Sequence, residues 1–201
     1  MPTHKAVTIT KEQVAALPLV TYEGHTHLID TVADVRPAVA ALRKHAVVGF
    51  DTETRPSFRR GKVNKTALIQ LATPRDCFLF RTCRIGIPAV LREYIEDPAC
   101  LKVGLSVHDD FNVLQRIADD IKPAGFVELQ EMVTRYGIID ISLQKIYAIL
   151  FGKRMSKNQR LTNWEAPELK TAQCDYAALD AKACIDIFKC LTGGHFTPET
   201  S

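Results

Sequence analysis

Cysteine is present in the chain, but not in any arrangement that defines a metal or redox motif. None of the six cysteines forms a CxxC pair, and no histidine stands beside them at a spacing typical of zinc sites. The common zinc modules are therefore excluded. The cysteines lie in apolar surroundings, which is typical of small core residues in a reducing compartment.

Long hydrophobic runs are also missing. No continuous apolar stretch approaches the length of a membrane span, and the first 20 residues lack the apolar segment of a signal peptide. The sequence contains no internal repeat and no low-complexity tract. We therefore expect a cytoplasmic protein.

The sequence has no large excess of charge of one sign. Its formal net charge is +3 over 201 residues, which only weakly suggests a polyanionic partner. With 46% hydrophobic and 24% charged residues, the chain has the composition of one globular domain. The positive charges are nevertheless clustered, and a solvated loop is the alternative explanation for each cluster. The clusters contain Arg55, Arg59, Arg60, Lys62 and Lys65 in one run, and Lys153, Arg154, Lys157 and Arg160 in the other.

Strand patterns come first along the chain and then alternate with helical patterns. The strands at 46–50, 66–73 and 77–81 predict an antiparallel meander. Together with the later elements, this order predicts an α/β fold with a mixed sheet. Further strands are predicted at 26–30, 101–106 and 125–129, and helices at 11–17, 32–45, 88–96, 109–118, 129–137, 141–152 and 167–191.

Two acids directly follow the apolar strand AVVGF. If residues 46–53 are extended, Gly49, Asp51 and Glu53 share one face, because side chains alternate along a strand. Carboxylates this close repel each other, and partial burial disfavours their ionisation further. Either one acid is protonated or a cation lies between them. A strand that ends in a solvated loop is the alternative.

Two later segments contain further acids. Asp109 and Asp110 lie where a strand leads into a helix, and the alternative role for either is that of a helix cap. Tyr176 and Asp180 are four residues apart, which places them on one face of the last predicted helix. The alternative for this pair is an exposed aspartate beside a half-buried tyrosine.

Taken together, and counting one of Asp109 and Asp110, these segments offer four carboxylates and one phenol as ligands or catalytic groups. Carboxylate oxygens are preferred ligands of Mg²⁺ and Mn²⁺. Two such ions about 3.5–4 Å apart favour in-line displacement at a phosphodiester. Tyr176 could hold the attacking water by its hydroxyl or accept its proton.

The motifs, in this order, resemble those of the DEDD superfamily of 3′–5′ exonucleases. The resemblance is to the tyrosine-containing branch, which includes ribonuclease D and the Werner-type exonuclease domain. It extends from about residue 27 to 191. The matching segments are VVGFDTETRP, ALIQLAT, KVGLSVHDDFNVLQ and LTNWEAPELKTAQCDYAALDAKACIDIF.

The resemblance also resolves two ambiguities in the site. The family has a leucine-like residue four positions after its second-motif acid, and Asp110 with Leu114 has this spacing, whereas Asp109 does not. The sister branch has a histidine at the position of Asp175, so the tyrosine version applies. The implied catalytic residues are Asp51, Glu53, Asp110, Tyr176 and Asp180, with the four acids as ligands of two divalent cations, Mg²⁺ or Mn²⁺.

The resemblance implies an RNase H-like fold, with a central mixed sheet flanked by helices. It also implies the removal of nucleotides from the 3′ end of DNA or RNA. Residues 1–25 are then an N-terminal arm, 26–192 the exonuclease domain and 193–201 a flexible tail. A catalytically silent nucleic-acid-binding module on the same fold is one alternative, and an unrelated α/β domain is another.

The basic runs are the candidates for phosphate contacts. Phe111 and Trp164 are candidates for base stacking, with core packing as the alternative for both. The full set of predicted nucleic-acid-binding residues is Arg59, Arg60, Lys62, Lys65, Phe111, Arg154, Lys157, Arg160 and Trp164.

Overall fold

One mixed sheet forms the centre of the molecule. The structure, a computed structural model, describes residues 6–57 and 64–197. The strands in these ranges are β1 (His25–Ile29), β2 (Val47–Thr54), β3 (Thr66–Ala72), β4 (Asp76–Phe80), β5 (Leu101–Gly104) and β6 (Phe126–Glu128). They pair in the order β1-β4-β3-β2-β5-β6.

The strand directions confirm the predicted meander. Strand β3 pairs antiparallel with both β2 and β4. The pairs β1–β4, β2–β5 and β5–β6 are parallel. The sheet is therefore mixed, as the sequence predicts.

Helices cover both faces of this sheet. In the described ranges they are α1 (Lys11–Ala16), α2 (Val32–Leu42), α3 (Thr82–Ile85), α4 (Ala89–Glu96), α5 (Val107–Leu114), α6 (Leu129–Thr134), α7 (Leu143–Phe151) and α8 (Thr171–Thr192). None of the helices in the described part of the chain is both long enough and apolar enough to cross a membrane.

The two faces of the sheet belong to separate parts of the core. Alternate residues of β2 and β3, such as Phe50 and Leu71, pack with α2 and α4 on one face. On the other face, small residues of α8 lie against the meander. Gly49 makes this approach possible, because a Cβ atom there would lie 1.9 Å from the carbonyl oxygen of Ala181.

The last helix begins later than the sequence predicts. We expect it from residue 167, but α8 starts at Thr171. The guanidinium group of Arg81 donates hydrogen bonds to the carbonyl oxygens of Ala166 and Pro167, and Arg84 also donates to Pro167. These carbonyls are therefore engaged outside the helix, and the segment before Thr171 stays irregular.

Strand β5 contains a buried lysine that the sequence pattern does not reveal. Lys102 is fully buried. Its Nζ atom donates to the carbonyl oxygens of Tyr94, Ile95 and Asp97, at 3.0, 3.2 and 2.9 Å. These acceptors lie at the carboxyl end of α4, where a positive charge is favourable. The ammonium group also lies 5.0 Å from the centroid of the Phe126 ring.

We expect Lys102→Met to lower the free energy of unfolding by about 1–3 kcal/mol, because methionine fills the space but leaves buried carbonyls without this donor. Urea denaturation measures the change. Lys122→Met is the control, since Lys122 is exposed, and it is expected to change the value by less than about 0.5 kcal/mol. Equal values for the two variants would contradict the assignment of Lys102 as a cap of α4.

Candidate active site

Three carboxylates from two elements converge on one side of the sheet. Asp51 and Glu53 lie on the same face of β2, and Asp180 lies in the middle of α8. Each of the three offers one oxygen atom, and these atoms all lie within 4.8 Å of one another. The period of the strand and the close packing of α8 on β2 together produce this cluster.

Asp110 lies next to the cluster of three. Its carboxylate accepts a hydrogen bond from the hydroxyl of Thr52, the residue between Asp51 and Glu53. Asp110 is partly buried, whereas Asp109 is exposed. The charge of Asp51 also acts on the Asp110 carboxylate, which places Asp110 within electrostatic reach of the cluster, although it is not one of the three acids whose oxygens lie within 4.8 Å of one another.

The carboxylate of Glu128, which is not part of the acid cluster, fixes the start of the helix that carries Asp110. The oxygens of Glu128 accept hydrogen bonds from the backbone nitrogens of Ser106 and Val107, at 2.9 and 2.7 Å. Ser106 has φ 62°, a left-handed conformation that is uncommon for a residue with a side chain. This turn starts α5 at Val107 instead of the predicted residue 109, and it ends β5 at Gly104.

The electrostatics of the cluster are unfavourable without a cation. Burial raises the pKa of Asp51 to about 7. Burial, followed by the charge of Asp51, raises the pKa of Glu53 to about 10. The pKa values of Asp110 and Asp180 also lie well above the usual range, because of burial and then the charge of Asp51. The four acids cannot all be ionised at neutral pH unless positive charge is added.

Tyr176 lies one helical turn before Asp180 on α8 and is buried. Burial, and then the carboxylates of Asp180 and Glu53, raise the pKa of its phenol. The hydroxyl therefore stays protonated at neutral pH. Asp51, Glu53, Asp180 and this tyrosine line an open cleft of about 430 Å³, whose other lining residues include Gln130, Ile141, Ser142, Gln144 and Arg160.

The predicted basic residues have different locations. Arg160 is exposed and lines the cleft, and its charge offsets a small part of the rise that burial and the neighbouring acids cause in the pKa of Glu53. Lys157 is exposed in the same segment, and Lys65 is exposed just before β3. Three further candidates lie outside the described residues: Arg59, Arg60 and Lys62.

Arg154 has a different environment from the one we predicted. Its Nε atom donates to the carbonyl oxygen of Leu17 at 3.0 Å, and its backbone nitrogen donates to that of Pro18 at 2.9 Å. Both acceptors belong to the segment that precedes β1. The Arg154 side chain thus holds this N-terminal segment, and the contact accounts for its position without a phosphate.

The structure favours core packing for both predicted aromatic platforms. Trp164 is fully buried, with its ring centroid 6.1 Å from that of Tyr176. A ring with no exposed surface cannot receive a base, so our prediction of base stacking is wrong for Trp164 in this conformation. Phe111 is partly buried and makes an edge-to-face contact with Phe126 at 4.8 Å.

Sequence reasoning missed several residues that shape the site. Thr52, Ser106 and Glu128 position Asp110, and the exposed apolar residue Ile141 lines the cleft. Only Thr52 carried a usable signal, because it lies between the two acids of the first motif. The other three resemble ordinary loop and surface residues in the sequence.

Comparisons with known proteins identify the family of the chain. The family model for 3′–5′ exonucleases matches residues 26–193, which include all four acids and Tyr176. The chain belongs to the 3′–5′ exonuclease family. It is 34% identical over 151 residues to the Exonuclease 3′-5′ domain-containing protein 2 of Drosophila melanogaster, a match that covers 71% of this chain. The match covers 25% of the fly protein's length.

Solved structures give the same fold. The EXO domain of Aedes aegypti Nibbler superposes with a TM-score of 0.75 at 23% sequence identity, covering 96% of each chain. A Trypanosoma brucei RNase D, solved as a complex with RNA U12, has a TM-score of 0.72 at 19% identity and covers 86% of this chain and 64% of its own. The RNase H-like fold is thereby confirmed.

Proposed function

We propose that this chain is an active, metal-dependent 3′–5′ exonuclease that hydrolyses phosphodiester bonds of DNA or RNA. The observation that carries the proposal is the convergence of Asp51, Glu53 and Asp180, with oxygens within 4.8 Å of one another. Asp110 adds a fourth carboxylate beside them. The exonuclease domain would comprise residues 26–192, with residues 1–25 as an N-terminal arm and 193–201 as a tail.

The donor set fits a pair of divalent cations. All four acids present carboxylate oxygens, which Mg²⁺ and Mn²⁺ prefer. In addition, Oδ1 of Asp180 is buried and has no hydrogen-bond partner among the described residues. A buried carboxylate oxygen without a donor is costly unless a cation neutralises it. Asp51, Glu53, Asp110 and Asp180 would therefore hold the ions.

Bound divalent cations would supply a nucleophilic hydroxide and stabilise the charge that develops on the phosphate and the departing oxygen. The protein groups would do the rest. The protonated hydroxyl of Tyr176 would orient the attacking water by a hydrogen bond. Arg160, exposed at the cleft, would attract a backbone phosphate of the substrate.

These groups predict that the substrate is a nucleic acid, but they do not distinguish RNA from DNA. The Trypanosoma brucei RNase D binds RNA in its complex with RNA U12. In the present chain, Arg160 and Lys157 would contact phosphates without distinguishing the sugar, whereas a choice between RNA and DNA depends on contacts to the 2′ position. We therefore propose that both RNA and DNA are substrates, and the two are compared in the experiment below.

A digestion panel tests the proposal. Single-stranded DNA and RNA oligonucleotides, labelled at either the 5′ or the 3′ end, are incubated with Mg²⁺, with Mn²⁺ or with EDTA. We expect 5′-labelled substrates to give a ladder, and 3′-labelled ones to release mononucleotide at once, only when a divalent ion is present. Retention of the oligonucleotide without cleavage in every metal would instead identify a silent binding module.

A further inference from the structure

Gln70 lies directly opposite Asp51 in the sheet. Strand β3 pairs antiparallel with β2, and the register places Gln70 against Asp51 and Leu68 against Glu53. Residues that oppose each other in an antiparallel pair share a face, with Cβ atoms about 5 Å apart. The Gln70 side chain therefore extends from the face that carries the acid cluster, beside Asp51.

Gln70 is also unusual in its burial. The residue has no exposed surface. Among the described residues, neither its Oε1 nor its Nε2 atom has a hydrogen-bond partner. Its neighbours on this face of β3 are apolar, Leu68 and Ala72, and Leu79 lies opposite it on β4.

An amide at this position is difficult to explain by packing. Buried polar groups without partners destabilise a folded protein, and an apolar side chain of equal size would fill the space without that cost. A neutral amide nevertheless has one property that suits a cluster of acids. It offers two donors without adding charge, and an amide donor favours the ionised form of a neighbouring carboxyl group.

We propose that Gln70 is a positioning residue for the metal site, with Nε2 donating a hydrogen bond to the carboxylate of Asp51 when divalent cations are bound. The inference rests on the proposed function, because it requires that Asp51 is a ligand. The bond fixes the orientation of the carboxylate, so that one oxygen faces the ion. Partners of this kind typically contribute about 10- to 100-fold to metal affinity.

The test compares Gln70→Met with the parent in the absence of nucleic acid. Methionine matches glutamine in length but cannot donate. Free Mn²⁺ is counted by electron paramagnetic resonance during a titration, and thermal unfolding is recorded in EDTA. We expect Mn²⁺ to bind about tenfold more weakly to Gln70→Met. We expect the metal-free melting temperature to stay equal or rise, because an unpaired amide has been removed from the core.

Leu68→Met is the matched control, since Leu68 occupies the same face of the same strand, opposite Glu53. It is expected to leave Mn²⁺ affinity unchanged. Unchanged affinity together with a lower metal-free melting temperature for Gln70→Met would assign a purely structural role and overturn the inference. If Gln70→Met fails to fold, Gln70→Leu takes its place with the same expectations.

The same Mn²⁺ titration distinguishes a failure of the proposed function from a failure of the proposed role of Gln70. If the parent and Asp180→Asn bind Mn²⁺ equally weakly, the metal site itself is wrong and the proposed function fails. If the parent binds Mn²⁺ more tightly than Asp180→Asn but the same as Gln70→Met, only the role of Gln70 is wrong.

Discussion

Asp180→Asn is expected to abolish exonuclease activity, with a rate loss of about 10³-fold or more, equivalent to at least about 4 kcal/mol of transition-state stabilisation. The substitution keeps the shape of the side chain but removes the charge that would bind the cation. Release of mononucleotide from a 3′-labelled oligonucleotide under single-turnover conditions measures the change.

The same variant is expected to fold well. Asp180 is buried, and one of its oxygens has no hydrogen-bond partner among the described residues. Removing a carboxyl group from a cluster of mutually repelling acids should therefore keep or raise the melting temperature in EDTA. A loss of activity without a loss of stability identifies a functional acid.

Asp109→Asn is the control for this experiment, because Asp109 is exposed and adjacent in sequence to Asp110. We expect it to retain the parental rate within about twofold, which is well under 1 kcal/mol. Digestion by Asp180→Asn at the parental rate would contradict the metal-site assignment. A large loss in Asp109→Asn would show that the second-motif acid had been assigned to the wrong residue.

Gly49→Ala is expected to lower the free energy of unfolding by about 3 kcal/mol or more, at the upper end of the range for overpacked cores. The new Cβ atom would lie 1.9 Å from the carbonyl oxygen and 2.9 Å from the carbonyl carbon of Ala181. Both atoms belong to the backbone of a long helix, so neither can move aside alone. Guanidinium denaturation followed by circular dichroism measures the loss.

Gly152→Ala is the control for glycine replacement as such. Gly152 has φ 62°, and no atom of residues 6–57 or 64–197 lies within 4 Å of the added Cβ, so the left-handed conformation is what opposes the change. That cost is about 1–2 kcal/mol. If Gly49→Ala proved no more destabilising than Gly152→Ala, the close contact between α8 and the sheet would be wrong.

The acid cluster was predictable because two regular periods define it. The period of two along β2 places Asp51 and Glu53 on one face, and the period of 3.6 along α8 does the same for Tyr176 and Asp180. The packing of α8 against β2, in contrast, could not be predicted from the sequence. That contact depends on Gly49 meeting Ala181, which involves residues 132 positions apart.

The environment of individual long side chains was much less predictable. Arg154 and Arg160 lie six residues apart in one basic run, yet one binds the carbonyl of Leu17 and the other lines the cleft. Trp164 is buried, although its segment is rich in polar residues. Loop side chains follow no period, so their partners are set by tertiary packing.

The position of Asp180 within α8 has a dynamic consequence. Helices fray from their ends, but Asp180 lies about 14 Å from the first residue of α8 and about 18 Å from the last, at 1.5 Å per residue. Local opening at either terminus therefore does not reach this carboxylate. Its backbone amide hydrogen should be among the slowest in the molecule to exchange with solvent, on the timescale of complete unfolding.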